Sequence, residues 1–279
     1  MTRSQQIERS IIKKYRKPIW NQFIGGLKDY QMIQAGDKIA VCISGGKDSF
    51  LLAKCLQELH RHGSEVPFEL EFIVMDPGFC PKNRARIEEL LKEMDIPAHI
   101  YDSPIFSVVE KQEGSPCYLC ARMRRGYLYK FAKELGCNKI ALGHHFSDVI
   151  ETTLMGMLWG SQIQGMLPKL HSTNFEGMEL IRPLYRVHED DIIAWARYNG
   201  LEFLGCACKM TASAAVDESA SKRRETKALI RRLRDEGNRD IEKNIFNSIH
   251  RANVDTLVGY KLNDEEHSFL EKFKQTDSE

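Results

Sequence analysis

Residues 38–49 read KIAVCISGGKDS, an apolar run that ends directly in a turn with two adjacent glycines. The run KIAVCIS (38–44) is rich in β-branched and small apolar residues, which is typical of a buried strand. Apolar residues at helical spacing follow from Asp48 to Arg61. A strand, a glycine-rich turn and a helix in this order can present backbone N–H groups to a phosphate. The stretch therefore predicts an α/β domain with an anion site at the end of its first strand.

The side chains of the turn favour the same interpretation. The turn consists of Ser44, Gly45, Gly46, Lys47, Asp48 and Ser49. The glycines leave room for an anion, the serines offer hydroxyl donors, the lysine adds a positive charge, and the aspartate is a suitable ligand for Mg²⁺ on the phosphates. An ordinary strand-to-helix turn would explain the glycines but not the four polar residues together. The spacing differs from that of Walker-type loops, so a phosphate site of another kind is predicted.

Three further β-rich runs alternate with helical periodicity. The predicted strands are LEFIVMD (70–76), AHIYDS (98–103) and KIALGH (139–144). The predicted helices after the first lie at 83–94, 119–135, 147–158 and 188–199. This alternation is the pattern of a parallel sheet flanked by helices, so the predicted fold class is α/β and Rossmann-like.

The regions around this core are predicted to be mainly helical. A helical lead-in occupies 4–31, and the looser pattern at 166–184 predicts a hairpin or a strand with a long loop. The small, polar segment 211–221 is expected to be a mobile loop, and two basic helices (222–235 and 239–250) and a short charged tail follow it. We therefore divide the chain into a lead-in (1–31), a sheet domain with the cysteine site (32–210) and a basic helical extension (211–279).

Composition excludes several classes of protein. The chain has 279 residues, 42% hydrophobic and 28% charged, which is too apolar and too evenly charged for a disordered chain. No apolar stretch approaches the roughly 18 residues of a membrane span, and the first twenty residues mix both charge signs, unlike a secretory signal. We expect a cytoplasmic protein without membrane association, where cysteines serve metal or redox chemistry more often than disulfides.

Basic residues are clustered although the formal net charge is only +1. Between Lys222 and Arg234, seven of thirteen residues are basic, and a second cluster follows residue 121. Solvated helix faces would explain either cluster alone, whereas several clusters beside a reactive site favour a polyanion partner. The predicted RNA-binding residues are Arg122, Arg124, Arg125, Lys222, Arg223 and Arg224.

Four of the eight cysteines form short pairs. Cys117 and Cys120 form a CxxC at the predicted start of a helix, and Cys206 and Cys208 form a CxC. The residues alone leave open a closed tetrahedral zinc site made of all four thiolates, or an iron–sulfur cluster held by three of them. The remaining cysteines stand singly and are interpreted as buried or incidental.

Two motifs resemble those of a known superfamily. SGGKDS is similar to the PP-loop of the ATP pyrophosphatases, which cleave ATP between its α and β phosphates to adenylylate a carbonyl oxygen. GHHFSDVIETTL (143–154) is similar to the GHHxDDxxET pattern of the tRNA-modifying branch, although Ser147 stands where the first aspartate is usual. The resemblance implies a parallel-sheet PP-loop domain in which Asp148 and Glu151 are the carboxylates on the magnesium side. It also implies that Gly143 and Asp76 contribute to the ATP site.

Two longer segments resemble the TtcA family of tRNA-cytidine 2-thiolation enzymes. They are 116–145, which carries the CxxC and an arginine-rich helix, and 181–209, which carries the CxC. The resemblance covers roughly residues 18–250 and implies a [4Fe-4S] cluster with one iron left open. Its ligands would be Cys117, Cys120 and Cys208, with Cys206 as the alternative third ligand.

The implied reaction is ATP-dependent thiolation of tRNA. Lys47, Asp48, Asp148 and Glu151 would be the catalytic residues, with ATP, Mg²⁺ and the cluster as cofactors. A pyrimidine carbonyl, that of cytidine 32, would be adenylylated, and sulfur from a donor such as a cysteine desulfurase would replace its oxygen. A homodimer is left open. The alternatives are a thiolase for another RNA base, a lysidine-type ligase with a structural zinc, and a non-catalytic ATP-binding iron–sulfur sensor.

Overall fold

The computed structural model describes residues 1–109, 116–204, 218–237 and 240–271. Its core is a six-stranded sheet with the strand order β3-β2-β1-β4-β6-β5. Only β5 runs antiparallel, because it forms a hairpin with β6. The strands are β1 (Lys38–Ile43), β2 (Glu69–Asp76), β3 (Ala98–Asp102), β4 (Lys139–Ala141), β5 (Lys169–His171) and β6 (Glu179–Ile181).

The first strand lies at the centre of the sheet and is buried on both faces. Ile39, Val41 and Ile43 point into one apolar cluster, whereas Ala40 and Cys42 point into the other. A strand that is covered on both faces has apolar residues at every position, which is why KIAVCI does not alternate between apolar and polar residues. The strand order reverses between β1 and β4, so a crevice is expected outside their carboxyl ends.

Helices cover both faces of the sheet. The helices are α1 (Arg3–Ile12), α2 (Asn21–Asp29), α3 (Lys47–His62), α4 (Pro81–Glu93), α5 (Ile105–Val109), α6 (Pro116–Glu134), α7 (Phe146–Trp159), α8 (Glu189–Tyr198), α9 (Glu218–Asp235) and α10 (Ile241–His250). The first cluster packs residues of α1, α2, α3, α4 and α8 against the sheet, and the second packs α5 and α6 against its other face. A short π-helical turn, Arg16–Trp20, precedes α2.

The basic carboxyl-terminal helices pack onto the sheet domain. Ile230 of α9 is buried against Phe146 and Ile150 of α7, and Phe246 of α10 stacks on Phe146 with ring centroids 4.7 Å apart. This packing brings α9 over the start of α7, beside the carboxyl edge of the sheet. No helix among the residues described has the length and apolar character that a bilayer span requires.

The structure confirms the predicted α/β class and the hairpin at 166–184, and it corrects three details. The predicted strand 139–144 ends at Ala141, so Gly143 and the two histidines lie in the following loop. Helix α9 begins at Glu218, so 218–221 is not loop as expected, and 211–217 lies outside the described residues. The carboxyl-terminal segment was expected to be a simple charged tail but contains a hairpin of β7 (Gly259–Leu262) and β8 (Glu265–Ser268).

Candidate active site

The glycine turn adopts a conformation that depends on Gly45. Its φ is +93°, and a Cβ there would lie 3.0 Å from Leu204 Cδ1 and 3.2 Å from Ile87 Cδ1. Ser49 Oγ donates to the Gly46 carbonyl oxygen (2.8 Å) and accepts from the Ser44 N–H (3.1 Å). The hydroxyl of Ser49 therefore holds the turn closed, while the amide groups at the start of α3 are left to face the crevice.

A second glycine allows β4 to approach this turn. A Cβ on Gly143 would lie 3.0 Å from both the Asp48 carbonyl carbon and the Ser49 nitrogen. These are backbone atoms of the first turn of α3, so a side chain at 143 would push the helix start away from the end of β4. The sequence analysis placed Gly143 at the nucleotide site, and the structure brings it against the SGGKDS turn.

Lys47 and Asp48 lie side by side at the start of α3. Lys47 Nζ is 3.2 Å from Asp48 Oδ1 and 3.1 Å from Glu189 Oε1. Burial opposes the positive charge, but the two carboxylates outweigh this effect and raise the pKa of Lys47. Among the described residues, the buried Asp48 Oδ1 accepts no hydrogen bond of good geometry, so a bound metal ion would share this oxygen with the Lys47 ammonium.

Glu189 is a site residue that the sequence analysis missed. Its carboxylate, 13% exposed, accepts from Lys47 and from Lys227 of α9, and its backbone N–H donates to Ser147 Oγ (3.3 Å). Burial alone would raise its pKa, but Lys227 and Lys47 lower the pKa of Glu189 to about 2. In the sequence it is one of three acidic residues at the start of a helix, which is an ordinary pattern and therefore gave no signal.

His145 and Asp148 form the reciprocal cap of α7. The His145 N–H donates to Asp148 Oδ2 (3.1 Å), and His145 Nδ1 accepts from the Asp148 N–H (3.4 Å). The other ring nitrogen, Nε2, lies 3.7 Å from Asp48 Oδ1, so the imidazole stands between the two aspartates. Burial opposes ionisation of Asp148, but the neighbouring histidines and Arg223 lower its pKa below the usual range.

Glu151 has the opposite protonation behaviour from Asp148. The two share a face of α7, and Arg223 Nη1 lies 3.0 Å from Asp148 Oδ1 but 3.8 Å from Glu151 Oε2. Burial dominates at Glu151 and raises its pKa to about 7, because Lys227 and Arg223 offset only part of the desolvation. One carboxylate of the pair is thus ionised at neutral pH, and the other is close to its titration midpoint.

His144 is half-buried and neutral. Desolvation, together with the positive charges of Arg182 and Arg223, lowers the pKa of His144 to about 4, and within the described residues its Nδ1 has no hydrogen-bond partner. The sequence analysis assigned no role to either histidine. The structure shows that His145 caps a helix and that His144 faces a region of positive charge.

Asp76 lies at the carboxyl end of β2, on the same edge of the sheet. It accepts hydrogen bonds from the N–H groups of Gly78 (2.8 Å) and Phe79 (2.6 Å), and its Oδ2 lies 2.7 Å from Arg84 Nη1. Burial opposes its ionisation, but these donors lower the pKa of Asp76. The carboxylate thus organises the turn after β2, and its predicted role in ATP binding remains a prediction.

The predicted cluster ligands are only partly described. Cys120 lies in the first half of α6 as a partly buried free thiol. The backbone of Cys117 belongs to the same helix, but its side chain lies outside what the structure describes, as do Cys206 and Cys208 entirely. In the part of the chain described, no three or more His, Cys, Asp or Glu residues are grouped as a metal site.

The predicted RNA-binding residues occupy two different environments. Arg122, Arg125 and Arg224 are exposed, whereas Arg124 is partly buried with its guanidinium 5.5 Å from the Phe106 ring centroid. Lys222 is half-buried, and Arg223 turns inward to Asp148 and Glu151. Arg223 thus belongs to the active-site charge network, a contact that the RNA-binding prediction did not anticipate.

Comparison with known proteins places the site in a family context. Residues 10–212 match the PP-loop domain family. A tRNA-cytidine(32) 2-sulfurtransferase from Paraburkholderia phytofirmans is 37% identical over 268 residues, which cover 94% of this chain and 76% of the relative. An enzyme with the same name from Burkholderia cenocepacia is 39% identical over 237 residues, covering 83% and 68% of the two chains.

Among solved structures, the fold is similar to that of the U34-tRNA thiolase NcsA from Methanococcus maripaludis, determined with its [4Fe-4S] cluster. The TM-score is 0.65 at 21% sequence identity, and the match covers 83% of this chain and 77% of that one. At this identity, the comparison supports the fold of the sheet domain and its helices.

Proposed function

This chain belongs to the PP-loop family together with the tRNA-cytidine(32) 2-sulfurtransferases, and from that membership we propose that it thiolates a tRNA pyrimidine at the expense of ATP. The carbonyl oxygen of the base attacks the α phosphorus of ATP and releases pyrophosphate. Sulfide then adds to the activated carbon, and AMP leaves with the former carbonyl oxygen. In the names of the relatives the target is cytidine 32, so we propose O2 of that base as the position exchanged.

The observation that carries this proposal is a contact between the glycine turn and the segment leading to the CxC. The Leu204 N–H donates to the Gly45 carbonyl oxygen at 3.2 Å. Cys206 follows Leu204 by two residues, and two residues span about 7 Å at most. Helix α6 directly precedes β4 and runs antiparallel to the strands β1 and β4. Its first turns, with the CxxC, therefore lie at the carboxyl edge of the sheet as well. This contact supports the proposal that the thiols and the nucleotide lie close to each other.

The residues of the turn bind and orient the phosphates of ATP. The N–H groups at the start of α3 and the Lys47 ammonium offset the charge that accumulates on pyrophosphate as it leaves. Glu189 restricts Lys47 to the crevice, because the long side chain would otherwise sample many rotamers. Gly45 and Gly143 carry no side chains, so the backbone segments that form the turn can approach each other closely.

A magnesium ion fits the carboxylates of this edge. Of the residues described, none donates a hydrogen bond of good geometry to the buried Asp48 Oδ1, although Lys47 lies 3.2 Å away, and Mg²⁺ typically takes only one or two protein carboxylates beside waters and phosphate oxygens. Asp48 would hold the ion, with Asp148 or Glu151 as a second group. When bound, the ion neutralises charge on the phosphates.

The one described thiol of the proposed ligand set is compatible with an iron–sulfur cluster. Cys120 is a partly accessible free thiol in α6, and we propose Cys117, Cys120 and Cys208 as ligands, with Cys206 as the alternative. When bound through three thiolates, a [4Fe-4S] cluster supplies an iron that can carry sulfide. A cysteine desulfurase or another sulfide source would provide the sulfur.

The tRNA would approach across the basic helices in the cytoplasm. The exposed arginines Arg122, Arg125 and Arg224 face solvent near the carboxyl edge, where phosphodiester contacts would guide an anticodon loop to the crevice. The division into lead-in (1–31), sheet domain (32–210) and basic extension (211–279) follows these roles, and a homodimer is compatible with them.

Metal content and nucleoside analysis test the proposal together. The chain is purified without oxygen, and iron, acid-labile sulfide and zinc are measured for the wild type, Cys120→Ser and Cys80→Ser. Cys80 is the matched control, since it is also a partly exposed free thiol but lies outside the proposed ligand set. We expect about four irons and four sulfides per chain, lost in Cys120→Ser and retained in Cys80→Ser.

The purified protein is then incubated with tRNA, ATP, Mg²⁺ and sulfide, and the tRNA is digested to nucleosides. Formation of 2-thiocytidine with equimolar AMP supports the proposal. A thio derivative of another base would show that this base, and not cytidine, is the substrate. Near-stoichiometric zinc without iron would contradict the cluster and favour a zinc-bearing ligase. ATP binding without any release of AMP would favour a sensor.

A further inference from the structure

Arg182 carries a buried positive charge without an acidic partner of its own. The residue follows β6 directly and is only 8% exposed. No ion pair with its guanidinium is found in the part of the chain that the structure describes. The acidic group that acts on it is Asp148, which is already paired with Arg223 at 3.0 Å. A buried charge of this kind costs free energy unless a counter-ion joins it.

The unpaired edge of the guanidinium has a defined geometry. Nη1 donates to the Leu167 carbonyl oxygen, whereas Nε is buried and has no hydrogen-bond partner in the described part of the chain. No hydrogen bond of Nη2 is found within the described residues. Nε–H and one N–H of Nη2 point the same way and form the fork that binds two oxygens of one phosphate or carboxylate.

The surroundings of Arg182 are positive and contain a second unpaired atom. Arg125 of α6 acts electrostatically on Arg182, and Arg182 in turn opposes protonation of His144, whose Nδ1 has no hydrogen-bond partner among the described residues. Arg182 follows β6 and is two strands from the end of β1, a separation of about 10 Å.

Other cations around the turn already have carboxylate partners. Lys47 lies against Asp48 and Glu189, Lys227 lies against Glu189, and Arg223 lies against Asp148. Arg182 differs from these three because its own charge is not matched. A ligand that brings negative charge into the crevice therefore gains most from Arg182, and a phosphate matches both the fork and the neighbouring glycine turn.

We propose that Arg182 is an anion-binding residue whose Nε/Nη2 edge receives a phosphate group of a ligand bound at the carboxyl edge of the sheet. The phosphate belongs either to the nucleotide or to the RNA backbone. The proposal relies on the proposed function only for these two sources. The buried charge of Arg182 destabilises the protein without ligand, and its contact with the phosphate becomes favourable when the ligand binds.

The test compares Arg182→Met with the matched control Arg186→Met in the full chain. Methionine fills similar space without charge, and Arg186 lies four residues further on, in an exposed pair with Asp29. Binding of inorganic pyrophosphate, an ATP analogue with a methylene group between the α and β phosphorus atoms, and an anticodon stem-loop RNA is measured by calorimetry. Thermal unfolding is recorded without and with each probe.

We expect Arg182→Met to weaken the binding of at least one probe by about 10- to 100-fold, which is the range of a charge-assisted hydrogen-bonded contact. Arg186→Met should leave the affinity for all three probes unchanged. Without ligand, Arg182→Met should melt no lower than the wild type, because an unpaired buried charge has been removed. A loss for pyrophosphate and the ATP analogue identifies the nucleotide as the source, and a loss for RNA alone identifies the backbone phosphate.

Unchanged binding of all three probes would overturn the proposal, as would a melting temperature of unliganded Arg182→Met several degrees below that of Arg186→Met. If the methionine variant does not fold, Arg182→Lys tests the proposal in its place. It keeps the charge and loses the fork, so its binding should be weakened several-fold, and wild-type binding would contradict the fork. Because these measurements need no turnover, retained Arg182-dependent binding without thiolation would count against the proposed function alone.

Discussion

Replacing Glu189 by glutamine should destabilise the fold strongly at neutral pH and less at acid pH. The two lysines lower the pKa of this buried carboxyl from 4.5 to about 2. With about 1.4 kcal/mol for each unit of pKa, ionised Glu189 stabilises the folded state by about 3 kcal/mol. Because the folded-state pKa is the lower one, this stabilisation is present above about pH 4.5 and is lost as the pH falls through about 2. Glutamine carries no charge, so the Glu189→Gln variant lacks this stabilisation.

Urea unfolding of the wild type and Glu189→Gln at two pH values measures this contribution. The difference in the free energy of unfolding should be about 3 kcal/mol at pH 7 and about 2 kcal/mol at pH 3.5. Asp190→Asn is the control, because Asp190 is the next residue of α8 and pairs with Arg234 at 3.2 Å while its side chain is 65% exposed. An exposed pair of this kind contributes less than about 1 kcal/mol.

Two results would refute the reasoning. If Glu189→Gln lost no more stability than Asp190→Asn, the two lysines would not be holding a carboxylate in the way the distances imply. If the loss were as large at pH 3.5 as at pH 7, it would come from altered packing and not from the charge.

Three further substitutions address the same edge of the sheet and its support. Gly143→Ala should cost about 1–3 kcal/mol and weaken binding of an ATP analogue, since its Cβ meets the backbone of Asp48 at 3.0 Å; unchanged melting and binding would contradict this contact. Burial raises the pKa of Glu151 to about 7, so wild-type stability should fall as the pH rises from about 4.5 to 7, and Glu151→Gln should be the more stable protein by about 3 kcal/mol at pH 8. Parallel pH dependence of the two proteins in urea titrations would exclude this. Lys54→Met should lower the free energy of unfolding by about 3 kcal/mol, because fully buried Lys54 lies 2.5 Å from the buried carboxylate of Glu8; a loss below 1 kcal/mol in the same assay would show that Arg61, 2.9 Å from the same oxygen, is a sufficient partner for Glu8.

The parts of the site that sequence predicted are those encoded by neighbouring residues. The SGGKDS turn is a local structure, set by a strand, two glycines and a helix start, and its serines hold it closed within a span of six residues. The GHH segment is equally local, because His145 and Asp148 cap the same helix. Periodicity and motif spacing report such features directly.

The parts that sequence did not predict depend on distant segments meeting. Glu189 reaches Lys47 across 142 positions of the chain, and Arg182 becomes informative only once its burial and lack of a partner are known. Neither residue has an unusual neighbourhood in the sequence. The β7–β8 hairpin is a different kind of omission, since Asn263 and Asp264 both take positive φ in its two-residue turn, and an Asn-Asp pair is itself a usable turn signal.

Helix α9 shows why a count of basic residues overstates the surface available to RNA. Arg223 and Lys227 are four residues apart and share the face that pairs with Asp148 and Glu189. Arg224 and Arg231 are seven apart and share another, exposed face. The inner pair neutralises carboxylates that would otherwise repel both ATP and RNA, and in doing so it fixes the helix beside the crevice. The outer pair can then meet a phosphodiester backbone at a set distance from the nucleotide, so one basic helix serves both the electrostatics of the site and the positioning of its proposed substrate.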